Sequence, residues 1–131
     1  MKLLLDTSVV LRIATEKQKL NARALELLSA RSSVLYLSSA SVWEIALKFA
    51  RGNLPLHAEP AVLVPQMIEG LQLQPLAISY PHAIEAARLP RYHQDPFDRM
   101  LIAQANVEGM ILLTSDRIFK KYDVEIVFCG R

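Results

Sequence analysis

HQDPFDRMLIAQANVEGMILLT, residues 93–114, places two aspartates three positions apart around a proline and then runs through a helix-length segment into a short apolar one. The start is easily explained. Asp95 can cap free backbone N–H groups, and Pro96 suits the first helical position, where its missing donor is not needed. Asp98 then falls in the first turn, where negative charge complements the helix dipole. But Asp98, Leu101, Ile102 and Ala105 stand at i, i+3, i+4 and i+7, the spacing of one helix face. Asp98 therefore continues an apolar stripe at the end that would emerge from a core, and a carboxylate so placed needs a partner.

The same alternation extends outward along the chain. KLLLD (2–6), VLYLS (34–38), LQPLAIS (73–79), MILLT (110–114) and EIVF (125–128) are brief and largely apolar, as strands buried on both faces should be. Between them lie helical lengths: 9–30 as one or two helices, 41–52 closing at Gly52, 59–70 closing at Gly70 and interrupted by Pro65, 79–90, 95–109, and a short turn over 116–122. This pattern predicts an α/β fold of three layers, α/β/α, around a central, mostly parallel sheet of about five strands. No repeat or linker divides the sequence, so residues 1–131 are expected to form a single domain.

Composition excludes several classes of function. Of the 131 residues 52% are hydrophobic, enough for a real core, and a formal net charge of +2 gives no global basic field. Only three leucines precede Asp6, too few for a signal h-region or a membrane span, and the single cysteine, Cys129, cannot staple the chain. A cytoplasmic protein without membrane contact is expected, with Cys129 acting as a small hydrophobe at the end of the last strand.

In open parallel sheets, ligands gather at the carboxyl ends of the strands. Asp6 ends the first apolar run and Asp116 follows the fourth through Thr114 and Ser115. The helix beginning near Asp98 leads into that fourth strand, so its N-terminus lies at the same rim. Glu44 is more ambiguous. It stands three residues after Ser41, as in a capping box, and four before Lys48, as in a helical ion pair, yet its helix also begins just after the second strand. Asp123 and Glu125 flank the opposite edge, and Glu16, Glu26, Glu59, Glu69, Glu85 and Glu108 read as solvated helix positions.

Clustered carboxylates repel unless protonated or neutralised, and a hard divalent cation such as Mg²⁺ or Mn²⁺ answers that repulsion with oxygen ligands. Such a centre supports phosphodiester hydrolysis. The alternative is a non-catalytic binding or switch module with an acidic pocket, but paired acids at the first strand and a lysine after the last, as a phospho-acceptor domain would use, are not found.

LLLDTSVV with Asp6, SVWEIALK with Glu44, HQDPFDRMLIAQA with Asp98, and LLTSDRIFKKY with Asp116 together resemble the PIN-domain ribonucleases, most closely the VapC-type toxins of toxin–antitoxin pairs. The match runs in the family's order over almost the whole chain. The resemblance implies a compact α/β/α fold, a Mg²⁺ or Mn²⁺ centre, endonucleolytic cutting of RNA, and a homodimer inhibited by a small antitoxin protein. It carries the family's acidic residues onto Asp6, Glu44, Asp98 and Asp116. Asp95 belongs to the DPFD signature, with a helix cap preferred over direct metal contact. Thr7 or Ser8 and Thr114 or Ser115 resemble hydroxyls that orient carboxylates or bound water, although ordinary helix capping would serve equally well. Arg99 and His93 flank the site, and Lys48, Arg51, Arg91, Arg117, Lys120 and Lys121 are candidates to meet RNA phosphates. Trp43 and Phe97 are expected in the core.

Overall fold

A computed structural model describes residues 1–131. Five strands form one sheet: β1 (Lys2–Leu5), β2 (Val34–Ser38), β3 (Gln74–Leu76), β4 (Ile111–Thr114) and β5 (Ile126–Phe128). The helices are α1 (Thr7–Thr15), α2 (Ala22–Ser29), α3 (Ser39–Ala50), α4 (Pro60–Gly70), α5 (Tyr80–Arg88) and α6 (Pro96–Glu108), with short 3₁₀ helices at Lys17–Lys19 and Arg117–Lys121. The strand order is β3-β2-β1-β4-β5, and all four pairings are parallel. The expected three-layer α/β/α architecture is what the chain adopts.

Strand alternation builds the two cores. In β1, Leu3 and Leu5 face one side of the sheet and Leu4 the other, and all three are fully buried. The first side packs Leu35, Leu37 and Leu113 against Val9 and Val10 of α1, Ala24 and Leu27 of α2, and Ile45 of α3. The second packs Leu4 and Leu112 against Leu101, Ile102 and Ala105 of α6, with Phe119 and Tyr122 beyond. A fully buried leucine side chain contributes about 1.5–3 kcal/mol relative to exposure, so these few strand residues anchor both layers. α5 packs on α6, and buried His82 reaches Glu108 at 2.8 Å, so Glu108 is half-buried rather than solvated as expected.

Several boundaries differ from the sequence expectation. β3 shrinks to three residues at the sheet edge, where Pro75 lacks a ladder donor. α3 starts at Ser39 instead of Ser41, because Ser38 takes the N-cap and accepts from the Ala40 N–H at 3.0 Å. Gly70 is the last residue of α4 rather than its left-handed cap. The positive φ falls instead on Gln72, at 52°. Gly109, with φ 67°, does close α6 in the left-handed conformation that glycine adopts without penalty. Pro65 lies inside α4 without ending it. Cys129 follows β5 directly and is fully buried, and that burial pushes its thiol up to about 11. No helix is long and apolar enough to cross a membrane.

The order of strands fixes where a site can form. From β1 the chain moves out to β2 and β3, then returns to place β4 and β5 on β1's other side. Connections therefore diverge at the carboxyl ends of β1 and β4, leaving a crevice there.

Candidate functional site

Asp6 occupies that crevice. It is the N-cap residue of α1, only 3% exposed, and its backbone N–H donates to the Leu113 carbonyl of β4 at 2.9 Å. Its Oδ2 accepts from Thr114 Oγ1 at 2.7 Å and from Ser8 Oγ at 3.0 Å. Burial raises the Asp6 pKa, these hydroxyls oppose the rise, and the charge of Glu44 adds to it. Thr114 Oγ1 also accepts from the Asp116 N–H at 3.0 Å, and the Ser8 and Ser115 hydroxyls lie 2.9 Å apart. The Thr7 hydroxyl donates instead to Ser41 Oγ at 2.9 Å, tying α1 to α3. Of the four hydroxyls considered from the sequence, Ser8 and Thr114 hold Asp6 directly. Ser115 acts through Ser8, and Thr7 holds α3 instead.

The capping-box reading of Glu44 does not hold. With the helix starting at Ser39, Ser41 is internal and Glu44 is a mid-helix residue, 5% exposed. The expected ion pair is present, Lys48 Nζ to Glu44 Oε2 at 2.8 Å, and that hydrogen bond is the main reason the lysine pKa rises. Glu44 Oε1 is buried with no hydrogen-bond partner. An orphaned carboxylate oxygen costs free energy unless something else meets it.

The two aspartates of 93–98 have different surroundings. Asp95 Oδ1 accepts from the N–H groups of Phe97 at 2.8 Å and Asp98 at 3.3 Å, so this side chain caps α6. Asp98 Oδ2 instead lies 2.7 Å from His93 Nε2. Burial, followed by the charges of Asp6 and Asp95, pushes the Asp98 carboxyl up to about 7, with the His93 contact opposing. Asp116 is exposed, and its Oδ1 accepts from the Ile118 N–H at 3.0 Å, capping the second 3₁₀ helix. A cleft of about 330 Å³ is lined by Asp6, Glu44, Asp95, Asp98 and Asp116 together with Lys48. Ligating atoms, one each from His93, Asp98 and Asp116, lie within 4.8 Å of one another, the last two residues being part of the cleft lining. A larger, mostly apolar groove of about 520 Å³ lies elsewhere, over Ile13, Leu25, Leu28, Leu35 and Leu71, and contains none of these acids.

Four basic candidates have partners within the protein. Arg99 is not free for phosphate: Nη1 donates to the carbonyls of Pro90 at 2.8 Å and His93 at 3.4 Å, and Nη2 to those of Ala86 and Leu89, each at 2.9 Å. His93 faces Asp98, and Lys48 faces Glu44. Arg117 lies over the Phe128 ring, 4.3 Å from its centroid. Trp43, expected in the core, is 59% exposed and meets half-buried Phe97 edge to face, with centroids 5.2 Å apart. It sits on the outer side of α3, whose inner side carries Glu44 and Ile45. Tyr122 was not singled out in the sequence. Its hydroxyl accepts from the His93 N–H and donates to the Pro90 carbonyl, both at 2.8 Å. Nothing local in the sequence marks that pairing, which spans about thirty residues.

Comparison with known proteins gives a family. The profile of the PIN domain matches residues 3–125. Among solved structures, VapBC2 from Rickettsia felis, bound to a DNA fragment from its promoter, superposes with a TM-score of 0.76 at 16% identity, over 99% of this chain and 100% of that one. DNA-bound VapBC from Salmonella typhimurium gives 0.73 at 18%, covering 98% of each chain, and VapBC-1 from nontypeable Haemophilus influenzae gives 0.70 at 14%, again covering 98% of each. At these identities the likeness is one of fold. No curated protein matches in sequence.

Two expectations follow from the cluster. Folded, metal-free protein keeps a proton on Asp98 up to about pH 7, whereas an unfolded aspartate releases it near ~3.9. The stabilisation from this protonation is fully present below the unfolded value and is lost as pH rises through about 7. Melts in EDTA should therefore show the wild type gaining on Asp98→Asn as pH falls from 8 to 5, and a pH-independent difference would contradict the assignment. Separately, Asp95→Ala should cost roughly 0.5–2 kcal/mol in denaturant titrations while Asp95→Asn is nearly silent, because asparagine caps about as well.

Proposed function

The chain belongs to the PIN-domain family, and from that premise we propose that it is a Mg²⁺- or Mn²⁺-dependent endoribonuclease acting as the VapC-type toxin of a toxin–antitoxin pair. The observation that carries this reading is Glu44 Oε1, buried without a partner in a cleft shared with Asp6, Asp98 and Asp116. The donor set suits the ion: carboxylate oxygens in a mostly polar cleft are the chemistry of a hard divalent cation. Asp6, Glu44, Asp98 and Asp116 would hold it. Bound there, the ion would neutralise charge on a scissile phosphodiester and promote attack by water at phosphorus.

The protein's own groups would prepare that step. Thr114 and Ser8 hold Asp6 through its Oδ2. The Lys48 ammonium pairs with Glu44 from the exposed side, adding positive charge where an RNA phosphate would approach. Arg117 lies over the Phe128 ring, a contact that uses no N–H donor to a protein acceptor, so its guanidinium would be available to a second phosphate. Lys120 and Lys121 are exposed on the same 3₁₀ helix and extend the basic rim.

The partner reading rests on other surfaces. Structural neighbours of the chain are VapBC complexes. In this chain the apolar groove over Ile13, Leu25, Leu28, Leu35 and Leu71 offers a seat for apolar side chains of an antitoxin segment. Exposed Trp43, Tyr80 and Ile84 offer apolar surface for a homodimer.

Purified protein should cleave single-stranded RNA with Mg²⁺ or Mn²⁺ and stop in EDTA. Asp98→Asn and Glu44→Gln should lose metal binding by calorimetry together with cleavage. Equal cleavage in chelator would sink the mechanism. Light scattering at micromolar concentration should give a dimer mass, and a monodisperse monomer unchanged by dilution would count against the homodimer.

A further inference from the structure

His93 is the one group that touches an acid of the cleft through a ring nitrogen, and its surroundings determine how that nitrogen is used. The Asp95 N–H donates to Nδ1 at 3.4 Å. A ring that accepts at Nδ1 carries its hydrogen at Nε2, so Nε2–H donates to Asp98 Oδ2 at 2.7 Å. Asp98 Oδ1 receives no hydrogen bond from the protein.

The rest of His93 is held as firmly as its ring. Its backbone N–H donates to Tyr122 Oη, which donates in turn to the Pro90 carbonyl. Its carbonyl and those of Pro90, Leu89 and Ala86 all converge on the Arg99 guanidinium. The imidazole also meets the buried Phe119 ring edge to face, with centroids 6.1 Å apart and planes at 76°. Arg99 and Tyr122 thus tie together the segment between α5 and α6 that carries His93.

We propose that His93 is a positioning residue for Asp98: its Nε2–H fixes the carboxylate through Oδ2 and leaves Oδ1 directed to a divalent cation. This rests on the metal-dependent reading above and deepens it. Neutral donors behind metal-binding groups of other proteins serve this purpose, and their loss weakens metal binding about 10–100-fold. The competing arrangement, in which Nε2 itself ligates the ion beside Asp98 and Asp116, would need the hydrogen on Nδ1, where it would oppose the Asp95 N–H.

The test measures Mn²⁺ binding to the full chain without RNA, by electron paramagnetic resonance of the free ion. His93→Phe keeps a ring against Phe119 and deletes the donor, whereas His93→Gln retains an amide N–H close to the position of Nε2. His93→Phe should bind Mn²⁺ about 10–100-fold more weakly, with melting in EDTA close to wild type, and His93→Gln should recover most of that loss. In metal-free wild type above pH 7, where Asp98 is ionised, nitrogen NMR should report the Nε2–H tautomer, with a shift that changes in Asp98→Asn. Wild-type affinity in His93→Phe, an Nδ1–H tautomer, or an imidazole nitrogen coupling to bound Mn²⁺ would each overturn the positioning role. Failure of the wild type itself to bind Mn²⁺ would instead overturn the metal-dependent reading, and the positioning role with it.

Discussion

Burying a carboxylate at the crossing point of a parallel sheet is expensive, and the arrangement around Asp6 follows from meeting that cost. At 3% exposure its charged form has lost most of its water. Two hydroxyls replace it, one from Ser8 in the first turn of α1 and one from Thr114 at the end of β4. The second is 108 residues away in sequence and reaches Asp6 only because β4 pairs directly with β1, where the Asp6 N–H extends the ladder to Leu113. The strand order is thus also the condition for the site. Its energetic foundation is apolar: Leu3, Leu4 and Leu5, fully buried on the sheet's two faces, hold β1 in register between β2 and β4.

The features legible in the sequence were those encoded by period and position. Short apolar runs mark the five strands, and Asp6, Asp98 and Asp116 fall at the carboxyl edge because they follow a strand or begin a helix that leads into one, whereas Glu44 is singled out by the family resemblance. The cleft brings all four together. What was not legible depended on tertiary contacts or on choosing between equivalent local signals. In SSAS, residues 38–41, three serines compete for the N-cap of α3. Choosing Ser41 made Glu44 look like a cap partner, but Ser38 wins and its hydroxyl also reaches Gln104. Arg99 looks like any basic residue beside an acidic site, and nothing in HQDPFDR says that four carbonyls of the preceding segment will turn toward it. Trp43 fits an apolar helical pattern, yet the inner side of α3 is taken by Ala40, Glu44 and Ile45.

The separation of duties between Asp95 and Asp98 follows from helix geometry. The N-cap residue has extended backbone, so its side chain folds back over the first N–H groups, as Asp95 does. Three residues on, Asp98 shares the helix face of Leu101 and Ile102, which are fully buried, and its carboxylate projects beyond their end toward the crevice. Acidic residues at these two spacings therefore act as one unit. The first fixes the start of α6, and that start fixes where the second can reach.

Most of the bonds holding these acids come from neutral donors: hydroxyls to Asp6, an imidazole N–H to Asp98, and backbone N–H groups to Asp95 and Asp116. Neutral donors fix the direction of a carboxylate without cancelling its charge, so the pKa values of Asp6 and Asp98 stay raised, first by burial and then by the charges of neighbouring acids. Lys48 is the exception, and it engages only one oxygen of Glu44. Had cationic side chains paired every acid, the same cleft would be more stable and chemically inert. Orientation supplied by dipoles leaves charge that a proton on Asp98 relieves in part up to about pH 7, and that a small multivalent cation would meet at all four acids together. Relief of the cluster's energetic cost would be one contribution to the proposed affinity for Mg²⁺ or Mn²⁺, set against the cost of stripping water from the ion.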